Sequence, residues 1–239
     1  MVEDEPTATF RERLQRYLKR GLDEKSAEAV VRGTLTFSEA LERMALDAEV
    51  TKLMRRHDLP RDIATQVVLG QADLDRFVQR RALKAYRQAQ HERSCLHNAH
   101  HRAVAIAVAL LGFEVLQGPI DKVTSYGFVL AGRDVHKLEA KYACEAKQRS
   151  RVEKALRWDE KHKAAPQRPG ERPQDRYGRP DWLLFEWLQS SQAVCVTLVE
   201  GECFTGTVSW FSRYEIGLEF SKGSSLTIFR HAIVLMKPT

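Results

Sequence analysis

The sequence predicts an α+β protein in which a helical repeat region is followed by two small, strongly bent β-barrels. Three observations carry this: a helical pattern recurs at constant spacing within residues 1–90, strand formers crowd the segment 181–239, and a fainter version of those strands occupies 91–150. At 239 residues and 43% hydrophobic content, the chain can build one large domain or two to three small ones with real cores.

In the first region, "LDEKSAEAVVRGTLTFSEALERMAL" (22–46) lies over "LPRDIATQVVLGQADLDRFVQRRAL" (59–83). Leu22 matches Leu59, Ala27 matches Ala64, Val30 and Val31 match Val67 and Val68, and Gly33 matches Gly70, all at 59 − 22 = 37. Each copy reads as a short helix, a glycine stop and a second helix opening near Ser38 or Asp73. Two such hairpins make a small helical domain. Its apolar positions read as core and its arginines as a solvated face, with a protein-docking groove as the functional alternative.

From 151 to 180 the composition shifts to charge and proline. Pro166, Pro169, Pro173 and Pro180 exclude a helix or central strand from its second half, so the segment is expected to be an extended basic linker. Residues 145–180 hold eleven Lys/Arg against six Asp/Glu, a concentration of the +6 formal charge of the chain. Arg168, Arg172, Arg176 and Arg179, interleaved with Trp158 and Tyr177, are auxiliary candidates for phosphate contact and base stacking.

The last segment begins with "DWLLFEWLQS" (181–190), an amphipathic helix with Asp181 as its cap and Leu184, Trp187 and Leu188 on one face. About five short strands follow, broken at Glu200-Gly201, Ser212-Arg213 and Lys222-Gly223-Ser224. In "YEIGLEF", Tyr214, Ile216, Leu218 and Phe220 alternate with Glu215, Gly217 and Glu219, which predicts one buried face and one open face. A helix and five antiparallel strands in so few residues suit a small bent barrel.

"LVEG" (198–201), Gly206, "SWFSRY" (209–214) and "FRHAI" (229–233) occur there in order and without gaps, and residues 181–238 resemble the bacterial Sm-like RNA chaperone Hfq. The resemblance implies an Sm-like fold, assembly into a ring through edge strands, and single-stranded RNA bound on a ring face. By position it implies Tyr214 as the base-stacking residue, Arg230 as the cation and His231 at the pore, with Arg213 replacing a glutamine and adding phosphate affinity. The arginine patch of the family's outer rim is absent, Leu188, Gln189 and Ser191 standing there instead.

Upstream, "LLGFEVLQGPIDKVTSYGFVLAGRDVHKLEAKYACEA" (110–146) aligns Gly118 with Gly206 and Tyr126 with Tyr214, since 214 − 126 = 88. A one-residue adjustment sets "KYA" (141–143) against "RHA" (230–232), making Tyr126, Lys141 and Tyr142 the counterparts of the stacking, cationic and pore residues. The alanine-rich "AVAIAVALL" here reads equally as buried helix or strand. Two modules per chain imply a trimer forming a pseudo-hexameric ring. The same offset puts His100 and His101 at the rim positions, where their charge would appear as pH falls towards about 6.5.

The expected function is therefore an Hfq-like RNA-binding protein acting as an RNA chaperone or post-transcriptional regulator. The alternative is an oligomeric Sm-like scaffold whose helical repeats recruit a protein partner. No phosphate loop, nucleophile elbow or HExxH occurs, so no enzyme and no cofactor are expected. His91 with Cys95, or His97 with His100 and His101, come close on a helix but lack a zinc spacing, and no metal site is assigned. Cys95, Cys144, Cys195 and Cys203 form no CxxC pair and read as reduced thiols. The longest apolar stretch, 103–113, is too short for a membrane span, and a cytoplasmic protein is expected.

Overall fold

Polar caps fix where the N-terminal helices start. In the computed structural model, which describes residues 9–170, 172, 178–220 and 223–239, α1 (Phe10–Lys19), α2 (Glu24–Val31), α3 (Phe37–His57) and α4 (Arg61–Val68) precede α5 (Leu74–Gln90). Asp23 accepts the Ser26 N–H, and Thr36 with Glu39 closes a reciprocal capping box on α3. Helices α2 and α4 end alike. Gly33 N–H bonds Val30 O and Gly70 N–H bonds Val67 O, with both glycines at positive φ. The helices bury two separate apolar clusters, one around Leu22, Ala27, Val30 and Ala40, the other around Val50, Leu59 and Ala64.

The chain divides into two units, Met1–Gln79 and Arg80–Thr239. In the second, α6 (Cys95–His101) leads into β1 (Ile106–Leu110), β2 (Val115–Gly118), β3 (Ile120–Val123), β4 (Gly127–Leu130), β5 (Arg133–His136) and β6 (Ala140–Glu145). Next come α7 (Arg149–Ala155), β7 (Arg157–Trp158) and α8 (Glu160–Ala164). The C-terminal segment is α9 (Asp181–Ser190), β8 (Ala193–Leu198), β9 (Glu202–Phe211), β10 (Glu215–Phe220), β11 (Ser224–Phe229) and β12 (Ile233–Pro238).

One sheet runs β12-β8-β9-β10-β11-β6-β1-β2, all antiparallel, and a second runs β3-β4-β5. The C-terminal strands thus stand in the order last, first, second, third, fourth. The upstream strands follow the same order once β2 and β3 are read as one strand broken at Pro119, whose ring lacks the N–H a ladder needs. The ambiguous alanine-rich stretch is the strand β1, buried on both faces because Ala107 meets the C-terminal core while Ile106, Val108 and Leu110 fill the upstream one.

Two expectations need correction. Alternation on β10 does not leave an open face, because Glu215 and Gly217 are buried beside Ile216 and Leu218. The N-terminus of α6 covers Glu215, and the Trp210 ring lies on Gly217, where a Cβ would fall 2.0 Å from Nε1. Nor are residues 149–167 extended. Arg157 and Trp158 pair with Cys203 and Glu202 on the free edge of β9, Asp159 caps α8, and Asp159 N–H and Gln167 N–H bond Gly201 O and Val199 O.

Gly201 permits this strap. Its φ is +92°, and a Cβ there would lie 2.6 Å from Lys163 N and 2.9 Å from Asp159 O. Gly201→Ala is expected to destabilise the fold by more than the ~1 kcal/mol that a strain-free glycine-to-alanine change would add and to raise amide exchange across 157–167, read by hydrogen–deuterium exchange with mass spectrometry.

Candidate nucleic-acid interface

Tyr214 stands in the tight turn between β9 and β10 and is 59% exposed. Ser212 N–H bonds Glu215 O, closing the turn, and Arg230 N–H bonds Tyr214 O. An exposed aromatic side chain fixed at its backbone is suited to base stacking. The Arg213 guanidinium carbon lies 5.2 Å from the ring centroid.

Arg230 opens a single 3₁₀ turn, Arg230–Ala232, between β11 and β12. Its guanidinium is part-buried and donates to Asp181 Oδ1 at 3.0 Å, Ser212 O at 3.1 Å and Arg179 O at 2.9 Å. It holds the Tyr214 turn from beneath. Asp181 is shared, because Arg87 Nε reaches its other oxygen at 3.1 Å. One carboxylate between two guanidiniums leaves a surplus positive charge.

The upstream segment repeats this construction with different residues. Tyr126, 78% exposed, occupies the turn between β3 and β4, and Lys137 N–H bonds Tyr126 O just as Arg230 N–H bonds Tyr214 O. Lys137 likewise opens a 3₁₀ turn, and its ammonium donates to Thr124 O at 2.6 Å and Ser125 O at 3.3 Å. Burial holds its pKa below the ordinary lysine value. The counterpart of Arg230 is therefore Lys137, at 230 − 137 = 93, and not Lys141. The β4–β5 hairpin is shorter than β10–β11, so the 88-residue offset shifts by five after it, and the one-residue adjustment falls four short.

Lys141 and Tyr142 do other work. Lys141 is 1% exposed, and its ammonium bonds both Glu200 and Glu202 beneath the Phe113 ring, with the nitrogen 5.0 Å from that ring's centroid. Tyr142 packs edge-on against Phe204, centroids 5.0 Å apart, and burial pushes its phenol well above the usual range. Neither offers a free face to a ligand. Both secure the join where β6 pairs with β11, Thr227 opposite Ala143 and Ile228 opposite Tyr142.

His231 belongs to the same join. Its Nε2–H donates to Ala140 O at 2.8 Å, and its ring stacks on Phe229, which reaches into the upstream core. The buried Glu215 carboxylate accepts the Ser94 hydroxyl and the Cys95 N–H, each at 2.7 Å, capping α6 across the join; burial raises its pKa above the ordinary glutamate value. Sequence patterns gave no hint of Glu200, Glu202 or Glu215, because a carboxylate in a turn or an alternating strand reads as solvent-facing. Lys137, three residues before the end of "YGFVLAGRDVHKLEA", was likewise missed, although a basic residue just after a hairpin is a signal that could have found it.

Of the other candidates, Arg168 and Arg172 are exposed, Arg179 donates twice to Met236 O, and Arg176 lies outside the described residues. His100 Nδ1–H donates to Ile120 O, and burial with Lys137 and two histidines nearby holds His97 below the usual histidine value. Among the described residues no cluster of three His, Cys, Asp or Glu could hold a metal ion, and no helix is long and apolar enough to cross a membrane.

A family model described as "Hfq related" matches residues 183–238, the span from α9 to β12. The C-terminal region is Hfq-like, with the Sm-like fold and general RNA-binding character that this carries. No curated protein matches the chain.

Lys141→Met removes one ammonium from between two buried carboxylates. It is expected to cost about 3–5 kcal/mol in urea unfolding, whereas Glu200→Gln/Glu202→Gln/Lys141→Met, which removes the charges together, recovers most of that loss.

Proposed function

We propose that the protein is an RNA chaperone or post-transcriptional regulator that binds single-stranded RNA with two Sm-type modules per chain, 91–150 and 181–239, and acts in the cytoplasm. The observation that carries this is the pair of exposed tyrosines, Tyr214 and Tyr126, each held by a backbone bond from a basic residue that opens the next turn. Tyr214 lies within the Hfq-related span. Bases stack on the tyrosines, Arg213 supplies phosphate affinity, and Arg230 and Lys137 brace the turns while adding positive charge. No covalent step is required of any residue.

Assembly follows from the edges. Among the described residues β12 and β5 each pair on one side only, and they are the counterparts of β6 and β11, which pair within the chain. Joining β12 of one chain to β5 of the next and closing the circle with three chains gives a six-module ring, and it covers both edges. Light scattering is expected to return three times the 27.4 kDa chain mass. A monomer at micromolar concentration would overturn the ring.

Stacking on an aromatic is worth roughly 1–3 kcal/mol per base, so Tyr214→Ala is expected to weaken binding of a labelled oligouridylate about tenfold in fluorescence anisotropy. Unchanged affinity would remove the site assignment.

A further inference from the structure

The C-terminal half of α5 is fixed to the Hfq-like segment by one aromatic residue. Tyr86 packs against Phe185 and Phe211, centroids 5.4 and 4.7 Å away, and its hydroxyl accepts the Phe211 N–H at 2.9 Å. Ala82 and Leu83 lie against the same core. This leaves Arg80, Lys84, Arg87 and His91, at steps of four, three and four, as an exposed stripe.

These four residues, with Leu83 and Gln88, line one shallow groove that contains no carboxylate. Residues 80–91 include no Asp or Glu at all. Like charges at i,i+3 and i,i+4 destabilise a helix by a few tenths of a kcal/mol each. Elsewhere the chain relieves such charges, as in Arg32–Glu28 and Arg149–Glu153. Among the described residues Arg80 and Lys84 have no ion pair, while Arg87 shares Asp181 with Arg230. The stripe therefore runs, through Arg87 and Asp181, to the guanidinium that braces Tyr214, and a repulsive stripe kept so close to a stacking residue fits an anionic polymer.

We propose that Arg80, Lys84, Arg87 and His91 form a phosphate track, about 16 Å long at 1.5 Å per residue, that carries single-stranded RNA from the Tyr214 stacking site along α5. This rests on the RNA-binding reading of Tyr214. The stacking site specifies single-stranded bases, and the track lengthens the bound segment without reading sequence.

The test uses the full chain and fluorescein-labelled oligouridylates of about six and about eighteen nucleotides, since single-strand sites span roughly 4–16 nucleotides per module. Arg80→Gln/Lys84→Gln is expected to weaken the long oligonucleotide about three- to tenfold and make its log Kd against log salt slope shallower by about 1.4, two phosphates at ~0.7 each. The short one is expected to bind unchanged, and Arg80→Lys/Lys84→Arg to behave as the parent. If the double variant leaves the long oligonucleotide unaffected, or weakens both lengths equally, the track is overturned; Tyr214→Ala weakening the short one then leaves the stacking site standing. If Tyr214→Ala changes neither length, the stacking site fails and the track fails with it.

Discussion

The join between β6 and β11 is the constraint on which the rest of the β region depends. Only two residue pairs form its ladder, Thr227 with Ala143 and Ile228 with Tyr142, too few to define a register by themselves. Side chains supply the definition. Tyr142 enters the C-terminal core, Phe229 enters the upstream core, and Lys141 is enclosed between Glu200 and Glu202. Burying ions costs several kcal/mol each before attraction repays it, so the cluster contributes more to uniqueness than to net stability. A one-residue slip of β6 would carry Lys141 and Tyr142 to the wrong faces at once, leaving two carboxylates unpaired in an apolar setting. Gly112 N–H, bonded to the other Glu200 oxygen, extends that penalty to the β1–β2 turn.

Placement of the exposed tyrosines follows from this join. Glu215 begins β10 directly after Tyr214, and its carboxylate reaches across to cap α6 of the upstream segment. His231, next to Arg230, reaches across to Ala140. Glu215 and His231, next to Tyr214 and Arg230, are thus anchored in the upstream segment, and the tyrosine turn inherits rigidity from contacts made elsewhere. In the proposed ring, assembly would be coupled in this way to the geometry of the proposed binding residues.

Much of this was legible in the sequence where the physics is local. The glycine stops at Gly33 and Gly70 fall where hydrogen bonds of the N-terminal helices place them, and Asp73 accepts the N–H groups at the start of α5, whereas the helix expected near Ser38 opens on Thr36; Tyr214 was singled out, though as part of an alternating strand and not as the turn residue it is. Long-range electrostatics was not legible. Lys141 looked like a ligand cation because a lysine followed by an aromatic resembles the Arg-His pair, whereas its surroundings come from Glu200 and Glu202, sixty residues later. The shortened β4–β5 hairpin hid Lys137, since an alignment with one adjusted residue cannot cross a five-residue deletion. The strap at 157–167 escaped notice because its partner, the free edge of β9, exists only after the barrel has formed.

The two kinds of join in the proposed ring differ in chemistry, and that difference would direct its assembly. With the 93-residue offset, Val234 and Leu235 of β12 stand where Lys141 and Tyr142 stand on β6, and with the 88-residue offset Gly112 and Glu114 stand where Glu200 and Glu202 do. Glu114 already has a partner in Arg133. A β12 strand arriving at β11 of another chain would set Val234 against Glu200 and Glu202 and strand both carboxylates without a cation, at a cost of several kcal/mol. Arriving at β5 it meets no such pair, because the position is a glycine and a glutamate neutralised by its own arginine. In the proposed ring the buried lysine therefore does more than hold one chain together: by pairing Glu200 and Glu202 internally it would leave β12 an apolar edge that meets no unpaired carboxylate at β5 of an identical chain.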